Sequence, residues 1–275
     1  KYSEGYLNRR EFLKKLTVLA GSTAAAVALL PLLQKSFVQA QVVPDDDPRL
    51  VVENKTYPAQ GAQMMAHLAR PKGDGKFPGV IVIHENRGLN PHTKDVARRV
   101  ALEGFLAIAP DASSPLGGTP DDVNEARTLI GKLDGPSTIK NFVAAVQYLK
   151  THPNSTGKVG CMGFCWGGGM TNQVAVNAPD LTAAVPFYGS QPKVEDVPKI
   201  NASLLCHYAG LDERINAGIE AFEAALKEAS IDYKMYVYEG AGHAFFNDTG
   251  TRYHKEAAEL AWKRTIEFFN EKLKT

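Results

Sequence analysis

The feature that most restricts the fold of this 275-residue chain is a series of short, uninterrupted apolar runs separated by stretches with helical spacing. Residues 79–84 read GVIVIH, 105–109 FLAIA, 159–164 VGCMGF, 181–188 LTAAVPFY and 203–209 SLLCHYA. Runs this short and this apolar read as strands, and the lack of a polar alternate position means that both faces are buried. Helices packed on both sides of a sheet provide that burial. Helical spacing falls between the runs, at 92–103, 121–133, 137–150, 166–177, 215–229 and from Arg252 onward. Parallel neighbours need a crossover, and these segments supply it, so the pattern predicts an α/β fold with a mostly parallel, doubly wound sheet. A further strand is expected at 233–238, and residues 49–71 read as an antiparallel hairpin about a Pro-Ala-Gln-Gly turn. No repeat or low-complexity linker divides residues 41–275, so they are expected to form one domain.

Open α/β sheets bind ligands beyond the carboxyl ends of their strands, so the residues just past each strand carry the functional information. After 159–164 the chain continues as Gly163-Phe164-Cys165-Trp166-Gly167, a G-x-C-x-G turn between strand and helix. This is the nucleophile-elbow pattern with cysteine in place of serine. The flanking glycines relieve crowding in a turn whose central residue is strained, and the helix N-terminus beyond it stabilises a thiolate or a developing oxyanion. Gly168 and Gly169 are poor helix residues, which implies close packing of the first helical turn against strands. Asp212 follows the strand at 203–209, and His243 follows the strand at 233–238. Cys165, Asp212 and His243 stand in the nucleophile, acid, base order of an α/β hydrolase. In those roles His243 takes the thiol proton while Asp212 fixes its tautomer.

The motifs HEN at 84–86, APD at 109–111, GFCWGG at 163–168, G-x-D at 210–212 and GAGHAF at 241–246 resemble those of the dienelactone hydrolases, over nearly all of residues 50–270. The resemblance implies an α/β-hydrolase fold and a cofactor-free hydrolase that opens a lactone or cleaves an activated ester. It also implies that Glu85 is an extra acid contacting the resting thiol, and that the backbone N–H groups of Asn86 and Trp166 form the oxyanion hole. The family type holds its substrate carboxylate with two arginines. One follows the A-P-D strand end, where this chain has Ala112-Ser113-Ser114-Pro115, and the other lies four positions after the catalytic histidine, where it has Asn247. Arg87 is a candidate substitute charge, and Phe245 and Asn247 are candidate pocket residues beside His243.

Other functions fit less well. Thirty-one Lys and Arg against thirty Asp and Glu give no field that favours nucleic acid. No H-E-x-x-H or comparable spacing suggests a metal, and the glycine-rich turn matches neither a P-loop nor a dinucleotide fingerprint. Cys161 and Cys206 lie within strands and read as small core residues. A binding protein on an inactive hydrolase scaffold, and an acyltransferase or peptidase using the same three residues, remain alternatives at this level. Residues 1–40 differ in kind. Asn8-Arg9-Arg10-Glu11-Phe12-Leu13-Lys14 followed by an Ala-rich apolar run resembles a twin-arginine export signal, with cleavage expected before Gln41 and a periplasmic protein as the product. The other reading of this segment is an N-terminal helix; a stable membrane span is not expected in the mature chain. The sequence is silent on oligomeric state.

Overall fold

The computed structural model describes residues 42–275, and the export-signal expectation falls outside the described residues. The hairpin forms as β1 (Leu50–Ala59) and β2 (Ala62–Pro71), with Ala59 opposite Ala62 and Gly61 taking φ +79° in the two-residue turn. Strands β3 (Phe77–Ile83), β4 (Leu106–Pro110), β5 (Ser155–Phe164), β6 (Ala183–Phe187), β7 (Ser203–Ala209) and β8 (Tyr233–Tyr238) complete an eight-stranded sheet in the order β1-β2-β4-β3-β5-β6-β7-β8. Pairings from β4 to β8 are parallel, while β2 is antiparallel to both of its neighbours. The order reverses at β3, which sits between β4 and β5.

Alternation along each strand divides the core in two. Ile81, Ile83, Leu106, Ile108, Cys161, Leu204 and Cys206 face one side, under α3 (Gly135–Thr151), α4 (Trp166–Asn177) and α6 (Ile219–Glu228). Val80, Val82, Ala107, Met162, Phe164, Val185 and Leu205 face the other, under α1 (Pro91–Leu102) and α7 (Lys255–Leu273). Each buried aliphatic or aromatic side chain contributes about 1.5–3 kcal/mol relative to an exposed one. That rigid double layer lets the strand ends carry strained residues. The first described residues are held by charge: buried Asp95 accepts the Val43 N–H at 2.8 Å, and buried Arg98 donates to the Val43 carbonyl at 2.7 Å.

Helix ends differ from the sequence reading where side chains cap the backbone. The segment expected as one helix at 215–229 is two, α5 (Glu213–Asn216) and α6, because Gln191 donates to the Ile215 carbonyl and Asn216 to the Ala209 carbonyl. α7 starts at Lys255 rather than Arg252, with the His254 ring accepting the Ala257 N–H. α2 (Val123–Ile130) is shorter than expected, since Asp122 accepts the N–H groups of Asn124 and Glu125 and opens the helix there.

Candidate active site

The elbow after β5 has the backbone that its glycines imply. Cys165 takes φ 57° and ψ −115°, a conformation that costs a non-glycine residue about 1–3 kcal/mol. A Cβ on Gly163 would lie 2.3 Å from the Gly167 carbonyl oxygen, and one on Gly167 would lie 2.3 Å from that of His84. On Gly168 it would meet the Phe187 oxygen at 2.4 Å, so the first turn of α4 packs backbone to backbone on β3 and β6. The Cys165 N–H donates to the Phe187 carbonyl at 3.0 Å, which ties the strained residue to the end of β6. Of the four non-glycine residues with positive φ among those described, Cys165, Tyr188 and Ala244 all border this site.

The other two strand ends supply the expected pair. His243 Nδ1 lies 2.5 Å from Asp212 Oδ2, with Asp212 buried and His243 half-buried. The Tyr188 ring packs edge-on against the imidazole at 5.1 Å, confining its plane. With Nδ1 engaged, the free nitrogen of His243 is Nε2. Strand order β5-β6-β7-β8 sets a thiol, a carboxylate and an imidazole along one edge of the sheet, and β3 places Glu85 beside them.

The Cys165 thiol is pushed up to about 11, by burial and then by the Glu85 carboxylate; the Trp166 backbone N–H and the cations Arg214 and Arg252 oppose this. At neutral pH the group is therefore a thiol. Glu85 is itself buried; Asn247 Nδ2 donates to its Oε2 at 3.0 Å, while Oε1 has no hydrogen-bond partner among the described residues. A buried acceptor left unsatisfied costs about 1–3 kcal/mol, so Oε1 is an acceptor open to a hydrogen-bond donor. Asn247, expected in the substrate pocket, thus also serves to hold the acid.

A cavity of about 600 Å³ opens beside Glu85, lined also by Arg87, His92, Lys94, Asn247 and Arg252. Arg87 is where the sequence suggested a pocket charge. Phe245 is not on this cavity: it is fully buried, with Tyr188 and Tyr238 rings about it at 5.3 and 5.1 Å, and its neighbour Ala244 lines the wall instead. Asn86 is exposed at the turn after β3, and Trp166 opens α4. Cys161 and Cys206 lie in one core, on the side of the sheet under α3, α4 and α6, each fully buried and pushed up to about 12 by that burial. Sequence reasoning missed Arg252 and Lys94, because neither stands at a strand end and no spacing rule brings a residue of the loop before α7 back over β3.

Comparisons with known proteins agree with this fold. Residues 64–273 match the dienelactone hydrolase family. A protein of Escherichia coli (strain K12), described as a candidate carboxymethylenebutenolidase, is 35% identical over 246 residues, covering 84% of this chain and 90% of the relative. The crystal structure of a candidate dienelactone hydrolase from Klebsiella pneumoniae superposes with TM-score 0.73 at 32% identity, covering 81% of this chain and 99% of that one. A dienelactone hydrolase-like promiscuous phosphotriesterase from metagenomic libraries gives TM-score 0.74 at 25% identity, covering 82% and 99%.

Proposed function

This chain belongs to the dienelactone hydrolase family, and from that premise we propose that it hydrolyses a lactone or activated ester through a thioester on Cys165. The observation that carries the reading is the 2.5 Å Asp212–His243 pair, set along the sheet edge from a cysteine held at φ 57°. His243 Nε2 takes the thiol proton as Sγ bonds to the substrate carbonyl carbon, and the carbonyl π electrons move to oxygen. The backbone N–H groups of Asn86 and Trp166 receive that oxyanion. Collapse breaks the carbon–oxygen bond, and the imidazolium returns its proton to the leaving alkoxide, which in a lactone stays on the same molecule. Water, giving a proton to His243, then adds to the thioester; the sulfur leaves and is reprotonated, and a carboxylic acid departs.

Glu85 sets the resting state in this scheme. Its charge helps keep the thiol neutral, so the nucleophile forms when substrate is bound rather than before. The two arginines of the family type are absent, and the side chains now at those places point to other work: Asn247 holds Glu85, and Ser113 is buried. Arg87, Lys94 and Arg252 supply the positive charge on the cavity, which suits a substrate with an anionic substituent. The test is turnover of a p-nitrophenyl ester and a lactone panel by wild type and Cys165→Ala in parallel. Loss of activity in the variant, with a stoichiometric acyl burst in the wild type, is expected. Undiminished turnover by Cys165→Ala overturns the thioester.

A further inference from the structure

His84 precedes the proposed acid, is fully buried, and takes no part in the scheme above. Both of its ring nitrogens are nonetheless engaged. Nε2 lies 3.1 Å from the Ala112 backbone nitrogen, whose N–H it must accept, so Nε2 carries no proton. Burial favours the neutral ring, and its single proton therefore sits on Nδ1, 2.6 Å from the Glu85 carbonyl oxygen. Nδ1 donates to that oxygen. The Glu85 carbonyl and the Asn86 N–H belong to one trans peptide unit and point in opposite directions. Fixing the oxygen fixes the N–H, and among the described residues that N–H meets no backbone carbonyl. The same imidazole stacks on the Trp166 ring, with centroids 5.4 Å apart and planes 13° from parallel, and the His84 carbonyl abuts Gly167 of the elbow.

We propose that His84 is a positioning residue for the oxyanion site: its Nδ1–H tautomer, braced by the Ala112 N–H, sets the Glu85–Asn86 peptide so that the Asn86 N–H faces the attacked carbonyl. The inference rests on the thioester reading. His84 touches neither substrate nor sulfur, and it acts by holding one donor at the end of β3 while packing on the residue that bears the other. The loop it braces is pinned a second time, where Thr119 accepts the Leu89 N–H at 2.9 Å and donates to Asp111 at 2.7 Å. Preorganised donors of this kind cost no rearrangement as the charge develops, which is the source of their rate advantage.

The experiment compares two reactions of the same sulfur in the full chain. Iodoacetamide alkylation forms a carbon–sulfur bond as iodide leaves and creates no oxyanion, whereas acylation by p-nitrophenyl acetate does. His84→Phe keeps a ring on Trp166 and removes both hydrogen bonds; His84→Gln retains a donor and an acceptor. In His84→Phe the acylation rate is expected to fall about 100-fold, and the affinity for a trifluoromethyl ketone by a similar factor. Alkylation is expected to stay within about twofold, since the thiol and its base are untouched. His84→Gln should recover most of the lost acylation. Equal falls in acylation and alkylation, or no fall in acylation, overturn the proposal. If His84→Phe does not fold, ¹⁵N shifts of the wild-type imidazole decide the matter, and a proton found on Nε2 overturns it. Absence of an acyl burst in the wild type would instead refute the thioester reading, whatever His84 does.

Discussion

Cys161 and Cys165 stand four residues apart, one within β5 and the other just past its end, and almost nothing about them is shared. Cys161 has ordinary strand backbone, full burial, and Thr171 Oγ1 as a weak partner at 3.7 Å. Cys165 has a strained backbone, a cradle of glycines, part of its surface open, and a carboxylate and an imidazole at strand ends along the same edge of the sheet. The lesson is positional. Within the sheet a residue is chosen for what it fills; at the carboxyl edge it is chosen for what its backbone can present.

Substitutions can break this contrast. The largest effect is expected from His243→Ala and Asp212→Asn, which leave the thiol in place and remove the means of moving its proton; turnover should fall roughly 10³–10⁴-fold in steady-state assays. Next comes Gly167→Ala, whose Cβ would meet the His84 oxygen at 2.3 Å. Urea unfolding should show a loss of about 3 kcal/mol, as expected for overpacking against backbone. Gly135→Ala is its control, because a Cβ there meets nothing within 4 Å, and stability should rise by about 0.4–1 kcal/mol.

Smaller effects sharpen the comparison. Cys161→Ala should cost about 1 kcal/mol through lost packing and leave ester turnover unchanged. Its alkaline behaviour should change as well. The buried thiol is raised from 9.0 to about 12, so its neutral form favours the folded state fully below pH 9, and that contribution is lost as pH rises from 9 toward 12. The variant should show a shallower loss of stability over that window. Smallest is Glu85→Gln: removing the charge that raises Cys165 lowers the thiol midpoint below about 11. More thiolate then forms at fixed pH below the midpoint, and since nucleophilicity falls in part with pKa, iodoacetamide alkylation should rise about threefold per unit lowered. Slower alkylation would show that Glu85 promotes the resting thiolate rather than suppressing it.

Those contrasts also mark what the sequence could reveal. The central strands were legible because burial on both faces leaves no polar alternation, and Cys165 and Asp212 were legible because each follows such a run, whereas His243 follows the half-exposed edge strand β8. Gly163 and Gly167 carried their own signal, since only a close backbone approach justifies glycine on both sides of a cysteine. The Asn247–Glu85 bond was not legible: it joins loops 162 residues apart, and an asparagine reads alike whether it faces substrate or acid. The break between α5 and α6 was hidden for a similar reason, because Gln191 makes it from another loop. His84 looked like the last residue of a strand, and its tautomer depends on an N–H from the end of β4.

The raised thiol of Cys165 has one more consequence, for the lifetime of the protein rather than its rate. Peroxides and disulfides consume thiolates and react slowly with thiols. If Cys165 is the nucleophile of the proposed scheme, a sulfur kept protonated by burial and by Glu85 is a poor target between turnovers. The same groups that make acylation wait for a substrate protect the sulfur from ageing while none is present.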